Sequence, residues 1–478
     1  VYWLAAFLPH LPLAVFLRGT RRPGPFAVVD VSRPPRVLAA SRAAAAAGVR
    51  PGMTLAAAAA LAPGIEARAR DGAAEARALE GLAAWALKVT PRICLEPPAG
   101  LLLEVAGSLG LFGGLAPLSA RLGRGLAALG YPGARLGAAP TPAAAWLLAR
   151  AGDKAPVTDP ADLAGRLGPL PLAVLDLPPR AAADLKAVGA ATLGDLLALP
   201  RGGAARRFGP EPLDRLDRAL GRVPDPRRPF APPPVFDARL PLPAETDDRE
   251  ALLFGARRLL AELEGHLEAR GAGVDALTLH LAPDGAPPVP LPLRLTGPSR
   301  DARLLLGLVR AHLERLALPR PVAELRLHAG PPVPLAARER PLFGEREAAP
   351  EDFLPLLERL RARLGDGTVG GLAAVADHRP ERAWGPCPPG AGDAPAPPPA
   401  ARPLWLLAEP APLKVVDGRP WLDGPLNLLA GPERIEAGWW DGADLARDYY
   451  RAEDPRGGRH WVFRRRPGGG WFRHGLFA

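Results

Sequence analysis

The sequence predicts a multidomain chain of mixed helix and strand, and three observations predict it. Strand-like apolar runs alternate with Ala-rich helical stretches over residues 1–160, which implies an α/β or α+β core. Residues 165–228 read as helix cut into short pieces by Pro and Gly, and β–α–β–β–α–β-like alternation follows. Tryptophan then becomes dense, with six of ten in the last 74 residues (Trp405, Trp421, Trp439, Trp440, Trp461 and Trp471). At 478 residues the chain has room for three or four domains.

Each element follows from local pattern. Residues 3–8 and 26–30 are apolar runs of strand length, the second ending at Asp30. Val1–Phe16 is apolar but broken by Pro9, His10 and Pro12, with its basic residues after it, so it suits a buried strand better than a signal peptide. Ser41–Ala47 and Thr54–Leu61 are Ala-rich helices, split by the turn cluster Gly48-Val49-Arg50-Pro51-Gly52. Ala73–Lys88 is a longer helix, and Leu101–Val105 a strand followed by a Gly-rich turn and another helix. Residues 250–270 and 301–317 are amphipathic helices. Strand-like runs Ala276–Leu281, Val289–Leu295 and Ala323–Leu327 complete a small two-layer domain, tethered at Pro232–Pro234. Pro386–Pro403 holds eight Pro in 18 residues and reads as an extended linker.

Composition narrows the function classes. Lys+Arg is 60 against 50 Asp+Glu, a net +10, and only Lys88, Lys154, Lys186 and Lys414 are lysine. Residues 1–230 carry 28 basic and 17 acidic side chains, or +11, so the basic excess lies in the N-terminal half. That balance is compatible with phosphate-backbone binding and equally with a solvated arginine surface. Cys94 and Cys387, the only cysteines, exclude a disulfide scaffold and a cysteine-based zinc or iron–sulfur site. No apolar run reaches the ~18 residues of a membrane span. The expectation is a soluble protein of a reducing compartment, the cytoplasm, with no membrane contact.

Three motifs, in order, resemble the Y-family translesion DNA polymerases. Gly48-Val49-Arg50-Pro51-Gly52-Met53 resembles the fingers turn, and Leu102-Leu103-Glu104-Val105-Ala106-Gly107-Ser108 resembles the palm strand after the catalytic carboxylates. Val188-Gly189-Ala190-Ala191-Thr192-Leu193-Gly194-Asp195-Leu196 resembles the second half of the thumb's helix–hairpin–helix pair. The resemblance implies an α+β chain. Palm and fingers would span residues 1–165, with fingers about 26–75, a helical thumb 166–229 and a little finger 230–338. Residues 339–400 would hold a clamp-motif candidate, a helical segment and the Pro-rich linker, and 401–478 a small aromatic-rich, partner-binding region.

The departures from that family bear on chemistry. Two-metal phosphoryl transfer needs carboxylates that hold both ions. Aligned on the family, Leu8 falls at the first metal-binding Asp, and Ala99 and Gly100 at the Asp-Glu pair. No Asp or Glu lies within residues 1–20. Glu96 and Glu104 flank the pair but sit off the family's metal positions. Arg42 and Ala45 fall at the family's triphosphate-gripping Tyr and Arg, and the palm's Lys falls within the lysine-free Ala139–Ala143. The first thumb hairpin falls on Asp176-Leu177-Pro178, where proline lacks an N–H and Asp repels phosphate. The implied DNA contact is weak and sequence-independent, through Gly189 and Arg201, Arg206, Arg207 and Arg215.

A Y-family-like chain without its carboxylates and with a long C-terminal extension resembles the ImuB group. Ala376–Ala383, Gly431-Pro432-Glu433-Arg434-Ile435, Gly438-Trp439-Trp440 and Arg447-Asp448-Tyr449-Tyr450 carry that resemblance. It implies a non-catalytic adaptor with no metal and no cofactor. Its partners would be the sliding clamp, a RecA-like ImuA protein and an error-prone DnaE-type polymerase, in the SOS mutagenesis response. Leu342 and Phe343, in Glu339-Arg340-Pro341-Leu342-Phe343-Gly344, resemble the anchors of a clamp-binding peptide. Trp439, Trp440, Tyr449 and Tyr450 are the partner-binding candidates. His378–Arg382 reads as a charged turn near the helical 351–364 region or a partner contact. Trp461 and Phe463 would share one face of a final hairpin, with His460 and His474 on the surface. Two other readings stay open: an active low-efficiency polymerase, and a DNA-binding module without protein partners.

Overall fold

The computed structural model describes residues 1–19, 24–335, 354–365, 368–389 and 402–477. It divides into two compact units, Val1–Glu347 and Ala348–Ala478. Leu342 and Phe343 lie outside the described residues.

The first unit starts with β1 (Trp3–Phe7) and α1 (Leu11–Leu17), then β2 (Phe26–Val29), β3 (Val37–Ala40), α2 (Arg42–Ala46), α3 (Leu55–Leu61) and β4 (Glu66–Ala69). Next come α4 (Gly72–Ala86), β5 (Ile93–Glu96), β6 (Gly100–Glu104), α5 (Leu109–Phe112), α6 (Leu115–Ala128), β7 (Arg135–Ala139) and α7 (Pro142–Ala151). Strands β5-β6-β1-β7 form an antiparallel sheet, and β3-β2-β4 a smaller one. Alternation sorts the larger sheet's side chains. Leu4, Ala6, Leu101 and Leu103 face a core with α4 and α6. Ala5, Leu102 and Ala139 face a second core with α7 and the helices that follow. The Gly48–Met53 turn is built as the motif requires. Gly48 and Gly52 have positive φ, and Arg50 Nη1 donates to Ala45 O at 2.7 Å.

Helices α8 (Leu163–Leu167), α9 (Pro179–Ala187), α10 (Leu193–Ala198), α11 (Arg201–Phe208) and α12 (Glu211–Ala219) are the short pieces that Pro and Gly predict. Then follow β8 (Asp237–Thr246), α13 (Arg249–Glu268), β9 (Ala272–Ala282), β10 (Val289–Ser299), α14 (Ala302–Arg315), β11 (Val322–Ala329) and β12 (Val333–Pro334). The sheet order is β10-β9-β11-β8, with β12 on β9. The sequence reading named no strand at 237–246, because Pro241 and Pro243 mask it. Their place explains their tolerance: β8 and the Pro-bearing β10 are the two edges, where a missing N–H breaks no ladder. Trp85 ties α13 to α4 and α6. A Cβ at Gly125 or Gly265 would lie 2.2 or 2.4 Å from its ring, so both glycines make room for it.

The second unit holds α15 (Leu354–Leu364), β13 (Gly371–Ala374), β14 (Trp384–Cys387), β15 (Trp405–Pro412), β16 (Lys414–Val416), β17 (Arg419–Trp421), β18 (Asn427–Ala437), β19 (Leu445–Glu453), β20 (Arg459–Arg465) and β21 (Trp471–Leu476). Five strands form an antiparallel sheet, β15-β21-β20-β19-β18. Pro386 and Cys387 pair with Leu372 and Gly371 in a β13–β14 hairpin. The expected linker therefore does not start at Pro386. Trp461 and Phe463 share one sheet face with Tyr449, while Val462 and Trp471 pack on the other.

Candidate functional site

A cleft lies where β1 ends, lined by Phe7, Pro9, Ala99 and Trp146 among others. Register pairs Phe7 with Gly100, and Leu8 N–H donates to Ala99 O at 2.8 Å. The three positions aligned with metal carboxylates thus meet at one end of one sheet, as Leu, Ala and Gly. Leu8 is buried in the α4/α6 core. Gly100 has no space for a side chain, because a Cβ there would lie 2.2 Å from Cζ3 of Trp146 on α7. Trp146 stands edge-on to Phe7 at 5.4 Å. Apolar groups thus occupy the three aligned positions and the space beside Gly100.

The acids near the cleft are already engaged. Glu75 pairs with Arg70 at 2.7 Å and Asp176 with Arg150 at 3.4 Å. Glu96 is raised above the usual carboxylate range by burial, with paired Arg227 acting against that shift. Glu104 is at the far end of the strand, opposite Trp3, and its Oε1 accepts from the N–H groups of Tyr2 and Ala106. Four residues of strand put it ~13 Å from the Gly100 end. Arg42 is exposed on α2, and Ala45 follows one turn later.

The helical segment distributes its candidates unevenly. Gly189 sits at φ +83° between α9 and α10, as a hairpin requires. Its N–H donates to Lys186 O, that of Ala190 to Leu185 O, and those of Ala191 and Thr192 to the Asp195 carboxylate. The backbone donors a phosphate would need are therefore spent, and Asp195 holds the place of an anion. Arg201 pairs with Asp217, and Arg215 donates to Leu175 O and Glu211. Arg206 and Arg207 are exposed on α11 with no carboxylate partner among the described residues. Of the five expected residues, Arg206 and Arg207 are exposed and without a carboxylate partner among the described residues, while Arg201 is exposed but paired with Asp217.

The C-terminal candidates split as well. Trp439 and Trp440 form the tip between β18 and β19, 79% and 55% exposed, with rings edge-to-face at 5.6 Å. Tyr449, 1% exposed, is core: its ring stacks on Trp461 at 4.0 Å. Its hydroxyl meets His474 Nδ1 at 2.8 Å. Tyr450 packs on Trp471 on the opposite face. His460 and His474 are buried, which corrects the surface expectation. His460 Nε2 meets the Asp454 carboxylate at 2.8 Å, and burial pushes His474 down to about 4. Arg379 is buried too, gripped by Asp377 and by Asp441 at the Trp440 tip. The His378–Arg382 turn therefore packs on the β18–β19 tip through Arg379 and Arg382.

A model of the impB/mucB/samB family matches residues 17–150. Protein ImuB of Caulobacter vibrioides, in two strains, is 34% identical over 474 residues, spanning 90% of this chain and 100% of that protein. The chain belongs to the ImuB family. Among solved structures it resembles DinB from Sulfolobus solfataricus and the insertion ternary complex of Dbh DNA polymerase. Both are 17% identical over 70% of this chain and 100% of theirs, with TM-scores of 0.38 and 0.40. The Y-family-like α+β class expected from sequence stands.

For this ImuB-family chain, sequence reasoning missed three structural determinants: Trp146, Arg379 and His474. Trp146 had one usable signal, a lone large ring in an Ala-rich helix beside a strand that begins with Gly100. No helix among the described residues is long and apolar enough to cross a membrane.

Proposed function

We propose that this chain is a non-catalytic, polymerase-like adaptor in DNA-damage-induced mutagenesis. It joins the sliding clamp, a RecA-like ImuA protein and an error-prone DnaE-type polymerase. Membership of the ImuB family supports the biological role. The observation that carries the non-catalytic part is the trio Leu8, Ala99 and Gly100, with Trp146 in the space a residue-100 carboxylate would need. Leu and Gly offer no side-chain oxygen to a hard cation.

The partner claim is tested by pull-down of the three proteins with the full chain, with and without DNA. Capture of all three supports the adaptor, and capture of DNA alone sinks it. Within that reading Leu342 and Phe343 anchor the clamp, and Trp439 and Trp440 meet another protein. Replacing Leu342 and Phe343 with Ala should weaken clamp affinity by roughly tenfold or more, with melting unchanged.

A further inference from the structure

Helix α13 is enclosed on nearly every side. Of residues 251–268 only Arg257 is exposed. A helix that covers one sheet keeps a polar stripe in water, and α14 does so with Arg303, Gly307, Arg310 and Glu314. One side of α13 lies on its own sheet, where a Cβ at Gly255 would lie 2.7 Å from Leu325 Cδ1 and 3.0 Å from Leu240 Cδ2. Another side lies on α4. A Cβ at Gly265 would lie 2.4 Å from Trp85 Cδ1 and 2.9 Å from Trp85 Cα, so the two helices cross at close range. Ala261 of α13 packs against the core that α4 and α6 share with Leu4 and Leu101. The layers thus run β10-β9-β11-β8, α13, α4 with α6, then β5-β6-β1-β7.

Polar contacts close the same seam. Arg18, at the end of α1, forms a buried ion pair with Glu262 of α13, and its Nη2 donates to Arg239 O on β8 at 3.1 Å. Lys88, just after α4, pairs with Glu268 at 3.7 Å and lies 4.6 Å from the Trp85 ring centroid. The chain leading into β8 is pinned as well. Phe230 N–H donates to Ile93 O at 2.6 Å, and Arg270 Nη2 donates to Pro233 O at 2.8 Å. Movement between domains is the default where their interface is small and polar. Here separation would bare Trp85 and leave Arg18 and Glu262 as unpaired charges at a surface built for neither.

We propose that residues 237–334 and the α4/α6 side of the larger sheet form one rigid body, with Trp85 and the Arg18–Glu262 pair as its lock and no hinge at Pro232–Pro234. The outer face of the β10-β9-β11-β8 sheet is then held at a fixed distance from β1, whatever the chain binds. This inference is independent of the adaptor reading.

Pulsed dipolar spectroscopy of the full chain tests it, with spin labels at Arg124→Cys on α6 and Gly307→Cys on α14. Both positions are exposed. A Cys387→Ser background leaves only the buried Cys94. The parent should give one narrow distance. Gly265→Ala, which drives a methyl into Trp85, should broaden it. Arg18→Met should broaden it too, and adding Glu262→Met should narrow it again, because the stranded carboxylate is gone. Amide exchange across a sub-denaturing urea series gives a second reading. Peptides of α4 and α13 should open together in the parent, and α13 should open first in Gly265→Ala. A broad or two-peaked distance in the parent would overturn the rigid body, as would opening of α13 at lower urea than α4. An unaltered distance in both Gly265→Ala and Arg18→Met would overturn the lock.

Discussion

Trp146 occupies the space that any side chain at Gly100 would need, and the contact is direct: 2.2 Å from an ideal Cβ to its ring. Tryptophan and glycine here form one packing unit across α7 and β6. A Gly100→Ala substitution overpacks it, at a cost of roughly 1–3 kcal/mol. In a Trp146→Leu background the same substitution should cost little, because the ring is gone. Melting of the four proteins checks this, and equal costs in both backgrounds would mean that the two residues are not coupled.

DNA affinity should separate from thumb stability. Arg206→Glu with Arg207→Glu should weaken DNA binding and flatten its salt dependence, leaving the melting temperature unchanged. Arg201→Ala and Arg215→Ala remove contacts to Asp217, Leu175 and Glu211, so they should lower the melting temperature. Fluorescence anisotropy across a salt series, beside calorimetric melting, distinguishes the two classes.

His266 gives the first unit an acid sensitivity. Burial holds it near 4, below its ordinary 6.5, and its Nε2 has no partner. The unfolded chain therefore binds a proton that the folded one refuses. Stability is unaffected above about pH 6.5, falls as pH drops toward 4, and stops falling on this account below that. His266→Leu should flatten the melting curve against pH in that window. A parallel slope in the variant would assign the effect to other groups.

Arg379 organises the aromatic tip. Its guanidinium lies over Trp440 while bonding Asp377 and Asp441, and those bonds hold Asp441 near a pKa of about 2. The ion pair should survive to strongly acidic pH and weaken only as pH falls through the 3.8-to-2 window. Arg379→Lys should not restore what Arg379→Ala removes, because lysine cannot fork between two carboxylates. Lower melting of the second unit and altered Trp439/Trp440 fluorescence are the expected signs in both variants.

Local pattern made much of the scaffold readable. The strands at 3–8 and 26–30, the Gly48–Met53 turn and the broken helices of 165–228 rest on apolar runs, glycine and proline, which act over a few residues. What stayed hidden depends on contacts between distant residues. Nothing around His474 indicates that Tyr449, 25 positions away, will hold it in a core. Nothing around Gly189 indicates that Asp195 will take the donors of Ala191 and Thr192. Asp441 is 62 residues from the arginine it grips, so the His378–Arg382 segment reads locally as a charged turn. The strand at 237–246 was concealed by prolines that only its edge position makes harmless.

The central claim is that the polymerase-like core does no nucleotide chemistry, and primer extension by the purified full chain tests it most directly. The assay uses a primed template, all four deoxynucleotides and either Mg²⁺ or Mn²⁺. The account predicts no template-directed product above a no-protein control, with either metal and at enzyme excess. Robust, template-directed incorporation that co-purifies with the chain would contradict it, since Leu8, Ala99 and Gly100 would then have to be bypassed by a metal site built from other residues.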